Sequence, residues 1–307
     1  MAFGAFQSSV AGQKAVAPTI QRKSPVALWL LLPGVLYLIL FFLTPLFSLV
    51  ITSFQAPVVG GFLGEFQTAF RWENYVEVVS TYSAHIGRSF IYASLATVFA
   101  LLLGYPIAYV IGVKLRGYPL LQSLALVLLI APFFISFLLR TLAWKQIFAD
   151  EGFLVGLLKS AQVIAADAYL TGTPFSVVFG LTYVFLPFMA LPIYTTLEKL
   201  DLRYIEAGED LYANPFTVFR KVTFPLSIPG VISGTLLTFI PATGDYINAS
   251  RDFLGSTDTA MMGNVIEANF LVLQNFPAAA ALSLILMMAI LILVSAYVKR
   301  SGTDDLL

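Results

Sequence analysis

One loop of this sequence is unusually rich in charged residues. Only 11% of the 307 residues are charged, yet this loop holds Glu198, Lys199, Asp201, Arg203, Glu206, Glu209, Asp210, Arg220 and Lys221. Apolar sequence flanks the loop on both sides. Side chains of these types offer ion pairs and hydrogen bonds rather than covalent chemistry, so the loop is suited to docking a soluble partner.

Catalytic groups are scarce. There is no cysteine and a single histidine, His85, which excludes thiolate nucleophiles, disulfides and histidine clusters. The nearest approach to a phosphate-binding loop, at residues 152–160, has the wrong spacing of glycine and lysine. We expect a non-catalytic chain without a metal or cofactor of its own. The net charge of zero gives no reason to expect nucleic acid as a partner.

Composition indicates that most of the chain lies in lipid. Hydrophobic residues make up 59% of the sequence and its mean hydropathy is +0.87. A soluble domain is about 45–50% apolar and about 25% charged. Because the chain has too few polar residues to cover its surface in water, we predict an all-α polytopic membrane protein.

Six uncharged runs are long enough to cross a bilayer, which takes about 20 residues of helix. They are residues 26–54, 89–113, 117–139, 171–197, 222–244 and 276–298. Prolines inside them predict kinks, since neighbouring helices can satisfy the freed carbonyls. The first run is too long for a cleaved signal peptide. We therefore expect a six-span domain at 26–298, with tails at 1–25 and 299–307.

The distribution of Lys and Arg predicts the orientation of the spans. Eleven of the 17 lie in the two tails, in the turn at 114–116 and in the loop at 198–221, and six lie on the opposite side. By the positive-inside rule, both termini and the charged loop face the cytoplasm. The expected location is the cell (inner) membrane, with lipid as the surrounding solvent.

The loop at 198–225 carries helix signals of its own. Asp201 is placed to cap a helix that runs to about Ala213. Asn214 followed by Pro215 is the cap and first-turn proline of a second short helix. Two short helices at an angle would form a compact knob on the cytoplasmic side.

A motif within this loop resembles a known family. The run at 206–208, with a proline at the matching offset, is similar to the E-A-A loop of binding-protein-dependent ABC importer permeases, the MetI-like inner-membrane components. In that family the loop forms a coupling helix that sits in a cleft of the ATPase subunit. The resemblance implies an ATPase-coupling surface made of Glu206, Ala207, Gly208, Asp210, Asn214 and Pro225.

The motif departs from the family pattern at three positions. Gly208 replaces the second alanine, Phe224 replaces leucine, and Tyr212 stands where the family has glycine. Glycine at that position permits a positive-φ turn that tyrosine disfavours. We expect the turn to shift toward Asn214, which tolerates the left-handed region.

Other stretches are similar to the polyamine (spermidine/putrescine) permeases of this family. They are residues 140–144, 186–194, 197–201 and 262–266, and the resemblance extends over residues 26–298. It implies the type I importer permease fold, with six spans and a cytoplasmic coupling-helix loop. It also implies the partners: a dimer of ATPase subunits that bind ATP and Mg, a second related permease and an extracytoplasmic substrate-binding protein.

A path for a flexible polycation calls for carboxylates with aromatic faces between them. Asp245 ends a charge-free span and adjoins Tyr246, so this pair is the leading candidate for an outer gate. Asp252, Trp144 and Tyr183 complete the predicted substrate pathway. Each has an ordinary alternative, since acids in loops and aromatic residues at interfaces are common in membrane proteins.

Two alternatives to a polyamine importer stay open. The same fold imports iron, thiamine, sulfate or molybdate, and the physics of the spans does not separate these substrates. A secondary transporter is the other class. It would need ionisable residues in mid-span, and the six runs carry none.

Overall fold

The computed structural model describes residues 25–300, which are largely helical. The helices are α1 (Pro25–Leu38), α2 (Thr44–Ser53), α3 (Glu73–Tyr109), α4 (Pro119–Ile130), α5 (Phe137–Phe148), α6 (Phe153–Ser160), α7 (Pro174–Glu198), α8 (Arg203–Asp210), α9 (Pro215–Val218), α10 (Phe224–Thr243), α11 (Met262–Glu267) and α12 (Phe276–Arg300). Strand β1 (Ala56–Pro57) pairs antiparallel with β2 (Phe66–Gln67). The positively charged Lys14, Arg22 and Lys23 of the predicted N-terminal tail lie outside the described residues.

Four π-helical turns extend or join these helices. They are Ile39–Leu43, Val110–Lys114, Phe219–Thr223 and Ala268–Val272. Turns of this kind are rare and often lie at functional sites. Phe219–Thr223 lies at the end of the charged loop and joins α9 to α10, and Val110–Lys114 follows α3 and packs against α7, the helix that precedes the loop.

The chain divides into two compact units, Met1–Ser48 and Leu49–Leu307. In the first unit, the described side chains of α1 are exposed, with Trp29 at 73% and Leu30 at 77%. A helix that is apolar on all sides is suited to a membrane span.

The second unit is a bundle centred on α3, α7 and α10. Small residues on α3, among them Ala93, Ala96 and Ala100, are fully buried. At Gly104, a Cβ atom would lie 3.3 Å from Met189 Cγ of α7. Small residues let apolar helices approach closely, which is how helices associate in lipid.

Within residues 25–300, five helices are long and apolar enough to cross a membrane. They are Trp29–Ser53, Glu73–Lys114, Pro174–Glu198, Pro215–Thr243 and Phe276–Arg300. A sixth span exists if the bent pair Pro119–Phe134 and Phe137–Ser160 is counted as one. The all-α polytopic fold is therefore confirmed.

The predicted span at 117–139 is interrupted more sharply than by the proline kink that we expected. The run is broken after a 3-10 segment at Ala131–Phe134, and the two halves differ in direction by 94°. Ile135 and Ser136 are extended, with ψ of 136° and 134°. Pro132 lacks the amide hydrogen that a continuing helix needs, which favours an interruption near this point.

The second span begins earlier in the chain than its charge-free run. Helix α3 starts at Glu73, and its only non-helical residue is Tyr82, with φ of −113° and ψ of 16°. Near this point Arg88 donates to the backbone carbonyls of Asp258 and Ala260. Arg88 therefore ties the polar N-terminal part of α3, which precedes the apolar run, to the loop before α11.

Candidate coupling loop and substrate pathway

The charged loop folds into two short helices, α8 and α9, which together we call the α8–α9 knob (residues 203–218). Asp201 Oδ1 accepts the Arg203 N–H at 3.0 Å, and Asn214 Oδ1 accepts the Thr217 N–H at 2.7 Å. The Asn214 cap follows the sequence prediction, whereas the residue at the N-cap of α8 is Leu202, and Asp201 holds the turn just before it. The predicted end of the first helix near Ala213 was wrong, because α8 ends at Asp210.

The turn after α8 is closed by Tyr212. The Tyr212 N–H donates to Glu209 O at 2.9 Å, and the Ala213 N–H donates to Gly208 O at 3.3 Å. These two hydrogen bonds form a Schellman motif, which ends a helix. The motif requires a left-handed backbone at the residue after the C-cap, which is Tyr212 here. Tyr212 has φ of 56°, whereas Asn214 is extended at φ −67°. The expected shift toward Asn214 was therefore wrong.

Gly208 lies where α8 crosses α9. A Cβ atom at this position would lie 3.1 Å from Val218 Cγ2, closer than ordinary van der Waals contact. Val218 is 4% exposed and forms the inner side of the knob. Glycine in place of the second alanine of the E-A-A motif therefore lets the two helices pack closely.

The outer surface of the knob combines acids with large apolar side chains. Tyr204 is 59% exposed, Leu211 81%, Tyr212 99% and Phe216 70%. The exposed residues predicted for ATPase coupling are Glu206, Ala207, Asp210 and Asn214. Gly208 faces α9 instead, and the exposed Pro225 belongs to the first turn of α10. Aromatic side chains at the centre of a polar surface are typical of docking sites.

Arg116 ties the turn after α3 to the end of α7 and to the segment that leads into the knob, a role that the sequence did not predict. Its guanidinium donates to Leu200 O at 2.8 Å, to Leu197 O at 2.7 Å and to Glu198 O. These carbonyls lie at the end of α7, where helical partners run out. The only sequence signal was a cation in a short turn, and its partners are 81 to 84 residues away in the chain.

An aromatic cluster lies under the knob. The Phe219 ring centroid lies 5.5 Å from that of Tyr105, 6.2 Å from that of Tyr109 and 6.1 Å from that of Phe224. Tyr105 Oη and Ser227 Oγ are hydrogen bonded at 2.7 Å. The cluster packs the start of α10 against α3, so a displacement of the knob has a direct route into the spans.

Asp245 lies at the opposite end of α10, in a turn that its own carboxylate holds together. The side chain accepts the backbone N–H of Asn248 at 2.7 Å and its Nδ2 at 3.2 Å. The residue is 8% exposed. Burial raises the pKa of Asp245 from 3.8 to about 6, although hydrogen bonds from Asn248, Ala249 and Ile247 act in the other direction. The geometry gives the carboxylate a structural role, and its contact with a substrate stays a prediction.

Asn248 joins this turn to two other helices. It is fully buried, and its Oδ1 lies 3.5 Å from Thr141 Oγ1 of α5. At Gly180 of α7, a Cβ atom would lie 2.7 Å from Asn248 Oδ1. A glycine is therefore required for the turn to pack on α7.

The structure brings two of the predicted pathway residues together. The ring centroids of Trp144 and Tyr183 lie 5.3 Å apart, and Phe179 lies 4.6 Å from Trp144. Asp252 is not part of this cluster. Its side chain is exposed, and its backbone carbonyl accepts Lys145 Nζ at 2.7 Å.

Tyr246 lines a cavity that the buried Asp245 does not reach. It is 47% exposed and lines a cavity of about 330 Å³ together with Glu267 and Phe270. The sequence analysis paired Tyr246 with Asp245, because the two are neighbours in the chain. The structure instead groups it with an acid 21 positions later.

Long apolar helices with a polar knob at one end define a membrane permease with a docking surface for a soluble protein. The family model described as "Binding-protein-dependent transport system inner membrane component" matches residues 100–301. The chain belongs to this family, and is therefore a multi-pass permease component of an ABC importer.

Relatives and solved structures agree with this assignment. The spermidine/putrescine transport system permease protein PotB of Haemophilus influenzae is 37% identical over 225 residues, covering 72% of this chain and 77% of that protein. PotB of Escherichia coli is 34% identical over 261 residues, covering 84% and 92%. A chain of a bacterial ABC transporter involved in the import of the acidic polysaccharide alginate has the same fold. Its TM-score is 0.68 at 15% identity, over 91% of this chain and 96% of that chain.

Proposed function

We propose that this chain is a permease subunit of a polyamine importer that takes up spermidine and putrescine. The observation that carries the substrate is the 37% identity to a spermidine/putrescine permease over 72% of the chain. Importers of other solutes share this fold and this composition of the spans, so neither feature identifies the substrate.

ATP hydrolysis takes place on a separate subunit, with ATP and Mg bound there. The α8–α9 knob supports this proposal, because it presents Glu206 and Asp210 beside exposed aromatic rings. Arg116 holds the segment that leads into the knob. A dimer of ATPase subunits would receive one knob from this chain and one from a second, related permease.

An extracytoplasmic binding protein delivers the solute to the end opposite the knob. Both termini and the knob then face the cytoplasm, as the positions of Lys and Arg predict. Along the path, Trp144 and Tyr183 offer ring faces, and Tyr246 and Asp252 lie at the outer end. Asp245 shapes that end through the turn that it holds.

The test of the substrate is uptake of radiolabelled spermidine and putrescine into vesicles that carry the full complex and enclose ATP. We expect ATP-dependent uptake that excess unlabelled polyamine abolishes and that molybdate, sulfate, thiamine or iron leaves unchanged. Absence of polyamine uptake, together with binding of another solute by the binding protein, would overturn the proposal.

A further inference from the structure

We propose that Glu267, Tyr246 and Phe270 form a subsite that binds an ammonium group of the transported solute. This inference deepens the proposed function and rests on it, since it takes the solute to be a polyamine. The subsite lies at the end of the bundle opposite the α8–α9 knob, where α10 ends and α11 begins to pack against it.

The three side chains line one cavity of about 330 Å³. Tyr246 follows the end of α10, Glu267 is the last residue of α11, and Phe270 lies in the π-helical turn that follows. The remaining lining is glycine and aliphatic side chains. Glu267 is therefore the one charged group in the wall, so the cavity attracts a cation and repels an anion.

The polar atoms of the cavity are available to a ligand. Within residues 25–300, the Glu267 carboxylate has no hydrogen bond or ion pair, and neither has the Tyr246 hydroxyl. Tyr246 uses only its backbone carbonyl, which accepts Asn264 Nδ2 at 2.6 Å. A ligand in the cavity would therefore meet a carboxylate that no residue of this part of the chain already binds.

The fold fixes the positions of these side chains. A Cβ atom at Gly263 would lie 2.6 Å from Gly244 O and 2.7 Å from Asp245 O, so only glycine lets α11 lie against the end of α10. This close approach brings Glu267 next to Tyr246. Phe270 is held from the other side by Phe276, with ring centroids 5.3 Å apart.

A carboxylate between two aromatic rings is suited to an alkylammonium group, which gains a charge-assisted hydrogen bond and cation–π contact. The surface beside the subsite is suited to the apolar methylene chain of a polyamine. An apolar cavity of about 400 Å³ between α10 and α12 shares Ile266 with the first cavity. It can accept the methylene chain that separates the ammonium groups of a polyamine.

The test compares Glu267→Gln with Glu151→Gln in the full complex. Both changes remove one carboxylate from a half-buried or exposed position, and Glu151 lies in a loop outside the cavity. We expect Glu267→Gln to lower polyamine uptake about tenfold at equal amounts of assembled complex, Glu267→Asp to restore part of it and Glu151→Gln to have no effect. Equal uptake by the wild type and Glu267→Gln would overturn the proposal.

The aromatic walls give a second, independent readout. Tyr246→Phe removes only the hydroxyl and keeps the ring, so it should lose less uptake than Tyr246→Leu, which removes the ring as well and should lose several-fold. If Tyr246→Leu transports as well as Tyr246→Phe, the ring faces do not bind the cation, and the subsite as proposed is wrong.

An ammonium group can also come from a lipid headgroup. The uptake comparison is therefore repeated in vesicles of phosphatidylglycerol and cardiolipin, which carry no ammonium, and in vesicles that contain phosphatidylethanolamine. A Glu267→Gln deficit of equal size in both supports binding of the solute. A deficit only with phosphatidylethanolamine overturns it in favour of the headgroup. Failure of the wild type to transport polyamines would instead overturn the proposed function, so the two failures are distinguishable.

Discussion

Tyr212 adopts a backbone conformation that usually belongs to glycine. Its φ of 56° lies in the left-handed region, and its side chain is 99% exposed, so no packing offsets the strain. The sequence analysis recognised the unusual residue but moved the turn to Asn214. The hydrogen bonds at the end of α8 fix the position of the turn. Tyr212 stands at that position, so it adopts the left-handed conformation.

Replacement of Tyr212 by glycine should stabilise the end of α8. Relief of the left-handed strain is worth about 1 kcal/mol, equivalent to roughly fivefold slower local opening. Hydrogen–deuterium exchange at the Ala213 amide of the purified transporter measures this opening. Tyr204→Gly is the matched control, because Tyr204 lies inside α8 and glycine there should speed exchange. Faster exchange in Tyr212→Gly would contradict this account of the turn.

Asp245 should make the stability of the transporter depend on pH. Its pKa is about 6 in the folded protein, above the ordinary value of 3.8 for this side chain, so the folded state holds the proton more tightly. The stability gained in this way is fully present below pH of about 3.8 and is lost as pH rises through about 6. The thermal stability of the wild type relative to Asp245→Asn should therefore fall between pH 4 and 7 and be constant above.

The measurement is the thermal unfolding midpoint of the wild type and of Asp245→Asn across this pH range. A relative stability of the wild type that rises with pH would show that the charged carboxylate is stabilised by a cation in the fold.

The sequence placed this acid correctly at the end of a span. It could not show that the carboxylate is buried, because the donors that hold it lie in the turn that follows.

At the scale of elements, local signals predicted the α8–α9 knob well and the third span poorly. The Asn214–Pro215 cap is a short-range pattern, so it could be read directly from the sequence. The break at Ile135 falls inside an unbroken apolar run, and hydropathy carries no information about helix direction. Arg116 was missed for a related reason, since the carbonyls that it binds belong to another helix.

Loss of Arg116 should loosen the segment that leads from α7 into the knob. Arg116→Ala removes hydrogen bonds from a charged group to carbonyls of Leu197, Glu198 and Leu200, which we expect to lower stability by about 2 kcal/mol. Coupling of ATP hydrolysis to uptake should weaken as well. The measurements are the thermal midpoint and the ratio of solute transported to ATP hydrolysed.

Lys114→Ala is the matched control for Arg116→Ala. It removes a cation from the same turn, but the Lys114 side chain is exposed and makes no hydrogen bond within residues 25–300. If both variants lose coupling to the same degree, the effect comes from the positive charge of the turn and not from the contacts of Arg116.

At the scale of the whole molecule, the predicted orientation is directly testable because the chain has no cysteine. Single cysteines at Ser160, at the end of α6, and at Glu209, on the knob, are exposed in the structure. A membrane-impermeant thiol reagent applied to intact cells should label Ser160→Cys only, and Glu209→Cys after permeabilisation. The cysteine-free parent measures background. The reverse pattern would invert the topology.

The central claim is that energy enters this permease through the α8–α9 knob. Glu206→Lys tests it most directly, since Glu206 is exposed on α8 and a charge reversal there opposes docking of the ATPase while leaving the bundle unchanged. Glu151→Lys is the same change on an exposed residue outside the knob. The measurement is ATP-driven uptake by equal amounts of membrane-inserted complex. We predict loss of uptake in Glu206→Lys with normal uptake in Glu151→Lys, and normal uptake by inserted Glu206→Lys would contradict the claim.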